Sequence, residues 1–387
     1  MLHLGGSPVT TNTQTIMGGL CRIYPALQSA RVSRTAIRIT ETALSTSSST
    51  SLDLSGGATS SLPGLGAALS SPAASAVGFM IWSDHWRGGS AFSLNLVKNL
   101  VASLFFFLAL STTGSLPHDI FSVNTPLVPL AFSALLGVVI GDCTAIAALK
   151  RLGSRRYLLI DCMKPALASI AGVLFLNEQL TIRIAVGIAI IIVGVLAASS
   201  VRGGGGGGID SIESRDAPVG YALAVAHLLL DTAGAGITKQ YRGALGPFSI
   251  GLLRFGSAAL MLMIIGLVGK ISTKYTYPAF AGLMSNRSGD DQNNRKVRGW
   301  WSLPTRDVVT GRDWRFVILG TFFVTFLGPA LFLRSLFLMP FGIAATISCL
   351  GPLYEPLIAR LLRGTRPNAR AVVGTVVAIF GVAVLCV

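Results

Sequence analysis

Residues 141–198 read GDCTAIAALKRLGSRRYLLIDCMKPALASIAGVLFLNEQLTIRIAVGIAIIIVGVLAA, and this stretch occurs a second time near the C-terminus. A shift of 187 positions without a gap superimposes three apolar segments in order. The matched pairs include Gly141 with Gly328, Ile160 with Ile347, Cys162 with Cys349, Pro165 with Pro352, Arg183 with Arg370, Gly187 with Gly374 and Gly194 with Gly381. An internal repeat of apolar segments indicates a duplicated membrane protein.

The repeat extends upstream with a different offset. Residues 91–98 (AFSLNLVK) match residues 247–254 (PFSIGLLR) at a shift of 156, which pairs Lys98 with Arg254. The difference between the offsets predicts an insertion in the second half, and the polar, basic stretch 270–314 accounts for it.

Composition places the chain in a bilayer. Hydrophobic residues make up 51% of the 387 residues, charged residues only 12%, and the mean hydropathy is +0.66. This leaves too little polar surface for a soluble globule of the same size. The net charge of +15 lies mostly in loops between apolar segments, which indicates contact with lipid headgroups and not with nucleic acid.

The side chains that hold metals or cofactors are scattered. The four histidines form no cluster, and the five cysteines show no metal-binding spacing. We therefore expect no cofactor and no metal site, and we interpret the lone histidines as structural or interfacial.

A membrane-spanning helix needs about 20 apolar residues. Ten segments meet this condition, near 62–82, 92–112, 128–149, 157–176, 181–200, 217–238, 248–269, 315–337, 341–362 and 368–387. The fold class expected is therefore an all-α membrane protein with ten transmembrane helices, arranged as two inverted five-helix repeats. The repeats are 62–200 and 217–387, joined by the glycine-rich linker 201–216. Residues 1–61, rich in serine and threonine, fit either a disordered tail or an organelle-targeting leader.

Loop charge predicts the orientation. Loops after the odd-numbered spans carry 20 lysines and arginines, and the opposite face, including the N-terminal tail, carries seven. An odd number of spans in each half inverts the second half relative to the first, and in both halves the same face is basic.

The order of short motifs carries a family resemblance. Gly141-Asp142, a helix ending in AL-x-x-LG, a helix with Pro165 at its centre and LNE at its end, and a glycine-spaced helix follow one another. This order resembles the EamA-like transporters of the drug/metabolite transporter superfamily over residues 62–387. The second copy keeps the proline and glycines but has Pro329 for Asp142 and Thr365 for Glu178.

The resemblance implies a multi-pass carrier that moves a small polar metabolite, by proton-coupled or exchange transport. It implies cytosolic termini, whereas the charge count places both termini on the opposite face. A membrane enzyme, or a scaffold or receptor that keeps the fold without transport, is the alternative.

Charged residues inside the spans are the candidate site, because each costs at least about 2.5–3.5 kcal/mol to insert. Four are basic and four acidic, which predicts pairing around an interior cavity; they are Lys98, Lys164, Arg254 and Arg334, and Asp142, Asp161, Asp231 and Glu355.

Three arrangements of these residues are predicted. Asp161 and Lys164 lie on one helical face and either form a local salt bridge or line the site. Lys98 and Arg254 are repeat-equivalent and either hold an anionic substrate together or support the fold.

The third arrangement is a broken ninth span. Glu355 lies between Pro352 and Pro356, and prolines there predict a break that exposes Tyr354 and Glu355 to ligand or proton. Glu355 alternatively pairs with Arg334. Asp142 and Asp231 are further candidate proton carriers or else paired core acids.

Overall fold

The computed structural model describes residues 62–86, 90–112, 125–199, 217–271, 303, 310–354, 357–358 and 369–386. These residues form helices joined by short connections, and no strand occurs among them. The N-terminal segment 1–61, the linker 201–216 and Glu355 lie outside the described residues.

The first half of the chain forms six α-helices and one π-helical stretch among the described residues. In chain order they are α1 (Leu62–His85), α2 (Ala91–Thr112), α3 (Leu127–Ala134), a π-helical stretch (Leu135–Gly141), α4 (Asp142–Asp161), α5 (Lys164–Leu176) and α6 (Ile182–Ser199).

The second half has the same order. It comprises α7 (Ala217–Tyr241), α8 (Pro247–Ile271), α9 (Gly311–Thr321), a second π-helical stretch (Phe322–Leu327), α10 (Gly328–Leu338), α11 (Phe341–Ser348) and α12 (Ala369–Cys386). The two π-helical stretches begin 187 residues apart, which is the offset of the sequence repeat.

Six of the ten predicted spans are long and apolar enough to cross a membrane. They are Pro63–Trp82, Phe92–Thr112, Leu127–Leu149, Ala217–Tyr241, Pro247–Val268 and Asp313–Leu338. The other four predicted spans coincide with shorter apolar helices of 10–17 residues, at Lys164–Leu176, Ile182–Ala197, Phe341–Tyr354 and Val372–Val384. For these four helices, full membrane spans stay a prediction.

Prolines explain two of the short helices. Pro165 lies in the first turn of α5 and not at the centre of a helix, because the chain breaks at the Cys162–Met163 turn just before it. In the ninth span, α11 ends at Ser348 and a turn at Cys349–Leu350 follows, just before Pro352. The break predicted at Glu355 itself stays a prediction, because 355–356 lie outside the described residues. The two turns are repeat-equivalent at the offset of 187.

The two ends of α4 lie beside the same side chain. The Nδ1 atom of His227 is 3.0 Å from the carbonyl oxygen of Gly141, just before α4, and its Nε2 atom is 3.9 Å from the carboxylate of Asp161 at its end. A straight α-helix of 20 residues would be about 30 Å long. The chain must therefore reverse direction between Asp142 and Asp161, which places two antiparallel segments alongside α7.

Helices pack mostly in pairs that follow the repeat. Applying the repeat offsets to one such pair gives another packed pair, or the same pair with its two helices interchanged. Helix α4 packs on α7, and α10 packs on α1; α2 packs on its equivalent α8, and α5 on α11. The largest contact is between α6 and α12. There Gly194 is so close to α12 that a Cβ atom would lie 2.6 Å from the Ala378 nitrogen and 2.8 Å from the Gly374 oxygen. Glycines seven residues apart share one face of a helix, which accounts for this close packing of α6 on α12.

Outward-facing apolar side chains complete the membrane surface. On α12, Val373, Val376, Ile379 and Phe380 are each about 60% exposed. Large apolar side chains exposed along one helix face are suited to lipid and not to water.

Candidate functional site

The π-helical stretch before Asp142 is the local feature around which the polar side chains gather. A π-helical turn displaces the backbone hydrogen-bonding register and leaves carbonyl groups open to other donors. The amide of Asn95 donates to the Val138 oxygen at 3.0 Å, and the His227 ring contacts the Gly141 oxygen at 3.0 Å. Both side chains are buried, so these hydrogen bonds satisfy carbonyls that lipid could not.

Lys98 and Asp142 form the first ion pair of the site. Lys98 projects from α2 to the carboxylate of Asp142, which is the first residue of α4. The Lys98 side chain is 8% exposed, so its ammonium group depends on Asp142 for compensation.

Lys164 and Asp231 form the second ion pair. Lys164 begins α5 and Asp231 lies in the middle of α7, so the pair joins the two halves of the chain. The predicted local salt bridge between Asp161 and Lys164 is therefore wrong. The turn at Cys162–Met163 separates these residues, and Lys164 turns toward Asp231 instead.

Arg254 reaches the same region from α8, and its environment differs from that of the two lysines. The residue is 7% exposed, and one terminal nitrogen lies beside Gly137, where a Cβ atom would be 3.1 Å from it. No hydrogen bond or ion pair joins its guanidinium to any described residue, and its Nε is enclosed without a partner. Asp231 and Asp142 attract it from a distance, but each already holds a lysine.

Asp161 is the acidic residue that no lysine neutralises in this group. Its Oδ1 atom is buried and accepts no hydrogen bond from the described residues, and Nε2 of His227 lies 3.9 Å from it. The Tyr157 ring lies 5.9 Å from the His227 ring and covers one side of the pair. We call the whole set the polar cluster; it comprises Lys98, Asp142, Tyr157, Asp161, Lys164, His227, Asp231 and Arg254.

The remaining predicted site residues lie elsewhere or outside the described chain. Tyr354 packs against the main hydrophobic core and not against the polar cluster. Glu355 is not among the described residues, so its pairing with Arg334 stays a prediction. Lys98 and Arg254 do approach one region, but Asp142 already compensates the charge of Lys98.

Sequence reasoning missed His227, Asn95 and Tyr157. The interpretation of His227 as structural or interfacial was incomplete, because its ring bridges the Gly141 carbonyl and Asp161. One signal was available: His227 precedes Asp231 by four residues, so both lie on the same face of a helix. Nothing in the sequence marks Asn95 or Tyr157, whose roles depend on contacts with distant segments.

Most charged members of the polar cluster have uncharged repeat-equivalents; Lys98 and Arg254, which are equivalent to each other, are the exception. The offsets map Asp142 to Pro329, Asp161 to Ser348, Lys164 to Gly351, His227 to Ser71 and Asp231 to Ser75. Ser71 keeps the backbone contact of His227, since its hydroxyl donates to the Gly328 oxygen at 2.9 Å. The repeat therefore preserves the contact to the backbone carbonyl, whereas the two lysine–aspartate pairs have no equivalent at the repeat-related positions.

A second charged group, which we call the clamp, lies at the loop ends of the helices. The carboxylate of Glu178 accepts hydrogen bonds from the Lys239 ammonium and from the Phe341 amide, the latter at 2.7 Å. Lys239 also donates to the Met339 oxygen at 2.7 Å. Asn177 positions Glu178, because its left-handed backbone (φ 53°) ends α5 and turns the chain back. The clamp thus joins the α5–α6 connection to α7 and to the α10–α11 turn.

Replacing Glu178 with alanine is expected to open this end of the molecule. The change removes both acceptors, so the Phe341 amide and the Lys239 ammonium lose their partner, at about 1.5–3 kcal/mol for a hydrogen bond to a charged group. Hydrogen exchange of segment 339–345, followed by mass spectrometry, should become at least about tenfold faster. Gln179→Ala, an exposed neighbour outside the clamp, is the matched control. Unchanged exchange in Glu178→Ala would show that the clamp does not restrain the turn.

The sequence matches a family of known membrane proteins. The family model described as "EamA-like transporter family" matches residues 62–200 and 297–387, which is more than half of the chain. The chain belongs to the EamA-like transporter family. The predicted resemblance is thereby confirmed, and the protein is an integral multi-pass membrane protein of a transporter family. The first matched range coincides with the first predicted repeat, and the second begins within the basic insertion 270–314.

Solved structures support the fold of this EamA-like protein. One crystal structure matches with a TM-score of 0.59 and 12% sequence identity, covering 83% of this chain and 96% of the other. At this identity the likeness concerns the fold alone. No curated protein matches the sequence significantly. Among the described residues, no three histidine, cysteine or acidic side chains are grouped to hold a metal ion.

Proposed function

We propose that this EamA-like protein is a secondary transporter that moves a small polar metabolite bearing an anionic group, by alternating access. The proposed architecture has ten spans in two inverted five-helix repeats, 62–200 and 217–387, joined by the glycine-rich linker 201–216. Residues 1–61 form a leader or tail that precedes the transport unit.

The connections between helices support the inverted arrangement. Counting ten spans places the α5–α6, α7–α8 and α10–α11 connections on one face, and the clamp residues come from these connections or from helix ends beside them. The same count places the end of α1 and the start of α9 on the other face. There His85 contacts Asp313 at 2.9 Å, and the rings of Trp86 and Trp314 meet at 5.8 Å.

The observation that carries the proposed substrate class is the guanidinium of Arg254, which has no hydrogen-bond or ion-pair partner among the described residues. A buried cation without a partner costs several kcal/mol, and few proteins retain such a group without using it. A guanidinium binds carboxylate or phosphate oxygens through paired N–H donors. A substrate with an anionic group would supply the missing partner, in a region that α2, α4, α5, α7 and α8 reach from both halves.

The ion pairs of the polar cluster also bear on which carboxylates could carry a proton. Asp142 and Asp231 were candidate proton carriers, but each accepts from a lysine, which stabilises the ionised carboxylate. We therefore assign them to positioning, with Lys98 and Lys164. Transport is driven either by a proton gradient or by exchange against a second metabolite.

Reconstituted vesicles test the function directly. Purified protein in liposomes should accumulate or exchange labelled anionic metabolites from a panel of amino acids, nucleotide sugars and phosphorylated sugars, with and without a pH gradient. Transport of at least one anionic class, absent from protein-free liposomes, is the expected result. Absence of transport across the panel, combined with specific binding or chemical conversion of a panel member, would instead support a scaffold, a receptor or a membrane enzyme.

The inverted arrangement makes a topological prediction. The insertion 270–314 carries eight lysines and arginines and contains Asn286-Arg287-Ser288, an N-glycosylation sequence. Because basic loops stay on the cytosolic or stromal face, Asn286 should remain unmodified, and protease should cleave the loop only from that face. A glycan on Asn286 would contradict this orientation of the whole molecule, since the two repeats are linked in opposite directions.

A further inference from the structure

His227 and Asp161 are a neighbouring base and acid of the polar cluster, and neither makes an ion pair with a lysine among the described residues. Nδ1 of His227 lies 3.0 Å from the Gly141 carbonyl oxygen, and Nε2 lies 3.9 Å from Oδ1 of Asp161. A carbonyl oxygen only accepts hydrogen bonds, so Nδ1 must carry the hydrogen of the neutral ring. In the neutral ring, Nε2 is then an acceptor that faces the carboxylate.

Two acceptors facing each other in a buried site repel unless one of them holds a proton. Oδ1 of Asp161 is enclosed and has no hydrogen-bond donor among the described residues, as expected of a position where a hydrogen is needed. A proton on Nε2 or on Asp161 would turn the repulsion into a hydrogen bond after a small movement, and with the proton on Nε2 that bond is charge-assisted. We infer that His227 and Asp161 form a one-proton binding site, which couples proton movement to transport in this EamA-like protein.

The other carboxylates and the lysines of the polar cluster are already paired, so His227 and Asp161 are the candidates for holding the proton. Lys98 and Lys164 form ion pairs with Asp142 and Asp231. The groups that act electrostatically on the pair or border it are Asp142 and Tyr157 of α4, Cys162 of the following turn, Lys164 of α5, Asp231 of α7, Arg254 of α8 and Cys349 after α11. The pair is thus the contacting acid and base of the cluster that makes no ion pair with a lysine among the described residues.

The position of the pair suits coupling. Asp161 ends α4 beside the turn at Cys162–Met163, and Lys164, three residues on, binds Asp231 of the opposite half. The Asp161 side chain is 26% exposed, so a proton has access from one side. Binding or loss of one proton changes the charge beside the Lys164–Asp231 pair, which joins the two halves that alternating access must move. The inference rests on the proposed transport function for this coupling step, although the proton site itself does not depend on it.

The proton is the probe in the decisive experiment. The full chain, labelled with ¹⁵N-histidine in lipid nanodiscs, is titrated by NMR, and the His227 signal is identified by its loss in His227→Gln. We expect this ring to titrate with its neutral form protonated on Nδ1. In Asp161→Asn the midpoint should fall by about one to three pH units, because the neighbouring negative charge is removed.

A matched control exists in the other His–Asp contact of the described chain. His85 and Asp313 lie 2.9 Å apart at the ends of α1 and α9, outside the polar cluster. Asp313→Asn should leave the His227 titration unchanged. A His227 midpoint that is the same in wild type and in Asp161→Asn would overturn the proton site.

Transport measurements separate this inference from the proposed function. In liposomes, Asp161→Asn and His227→Gln should lose accumulation driven by a pH gradient, while exchange at equal pH continues. Wild-type transport with gradient-driven accumulation intact in both variants would overturn the coupling role and leave the transporter standing. If wild type transports no panel member, the proposed function fails, and the NMR titration still decides whether the pair binds a proton.

Discussion

Replacing Arg254 with glutamine should abolish most transport of anionic metabolites while leaving the fold intact. Losing one partner of a buried, hydrogen-bonded charge pair costs about 2–5 kcal/mol, which corresponds to a loss of affinity of roughly 30-fold to several thousand-fold. Neutral metabolites, if transported, should lose far less. Affinity and initial rates in liposomes measure the difference between the two classes.

The stability of this variant distinguishes binding from a structural role. Without substrate the Arg254 guanidinium has no partner among the described residues, so removing its charge should keep or raise the melting temperature. Arg254→Lys should retain part of the affinity, because lysine keeps the charge but not the paired donors. Arg183→Gln, at an exposed position at the start of α6, controls for loss of a positive charge. Equal loss for anionic and neutral metabolites, with a lower melting temperature, would show that Arg254 supports folding.

The second large effect is expected at the Lys164–Asp231 pair. Asp231→Asn leaves the Lys164 ammonium, 18% exposed, without its carboxylate in the membrane interior. Breaking a buried pair from one side costs about 3–5 kcal/mol. Thermal unfolding of the purified protein in detergent should therefore show a clear drop in melting temperature, together with loss of transport.

A double variant provides the matched control. Lys164→Met combined with Asp231→Leu removes both charges and keeps similar volumes, so most of the lost stability should return. Transport should not return, because the pair also positions the polar cluster between the two halves. Recovery of transport in the double variant would show that the pair serves stability alone, and equal melting temperatures for wild type and Asp231→Asn would show that Asp231 does not stabilise Lys164.

The two repeats share backbone features around the polar cluster but differ in the charged side chains they carry there. Each repeat contains its own π-helical stretch, and a side chain from the other repeat contacts a carbonyl at or just after its end. His227 contacts the Gly141 oxygen of one repeat, and Ser71 contacts the Gly328 oxygen of the other. Among the described residues, only the polar cluster combines these features with lysine–aspartate pairs and with an arginine whose guanidinium has no partner.

The sequence alone determined the membrane class, the family, the internal repeat and the set of charged candidates. These follow from local properties: the cost of charge in lipid makes each intramembrane charge conspicuous, and the order of short motifs survives in both copies. The close packing of α6 on α12 was also predictable, since glycines seven residues apart share a helix face and allow backbones to approach.

Only the tertiary structure decided which charges pair. Asp161 and Lys164 are close in sequence, yet Lys164 binds Asp231, 67 positions away, because the turn before Pro165 redirects the chain. The isolation of Arg254 and the bridging position of His227 likewise depend on which helices meet at the π-helical stretch. Periodicity and spacing determine which face of a helix a residue occupies, but partners on distant helices depend on packing of the whole bundle, which no local pattern records.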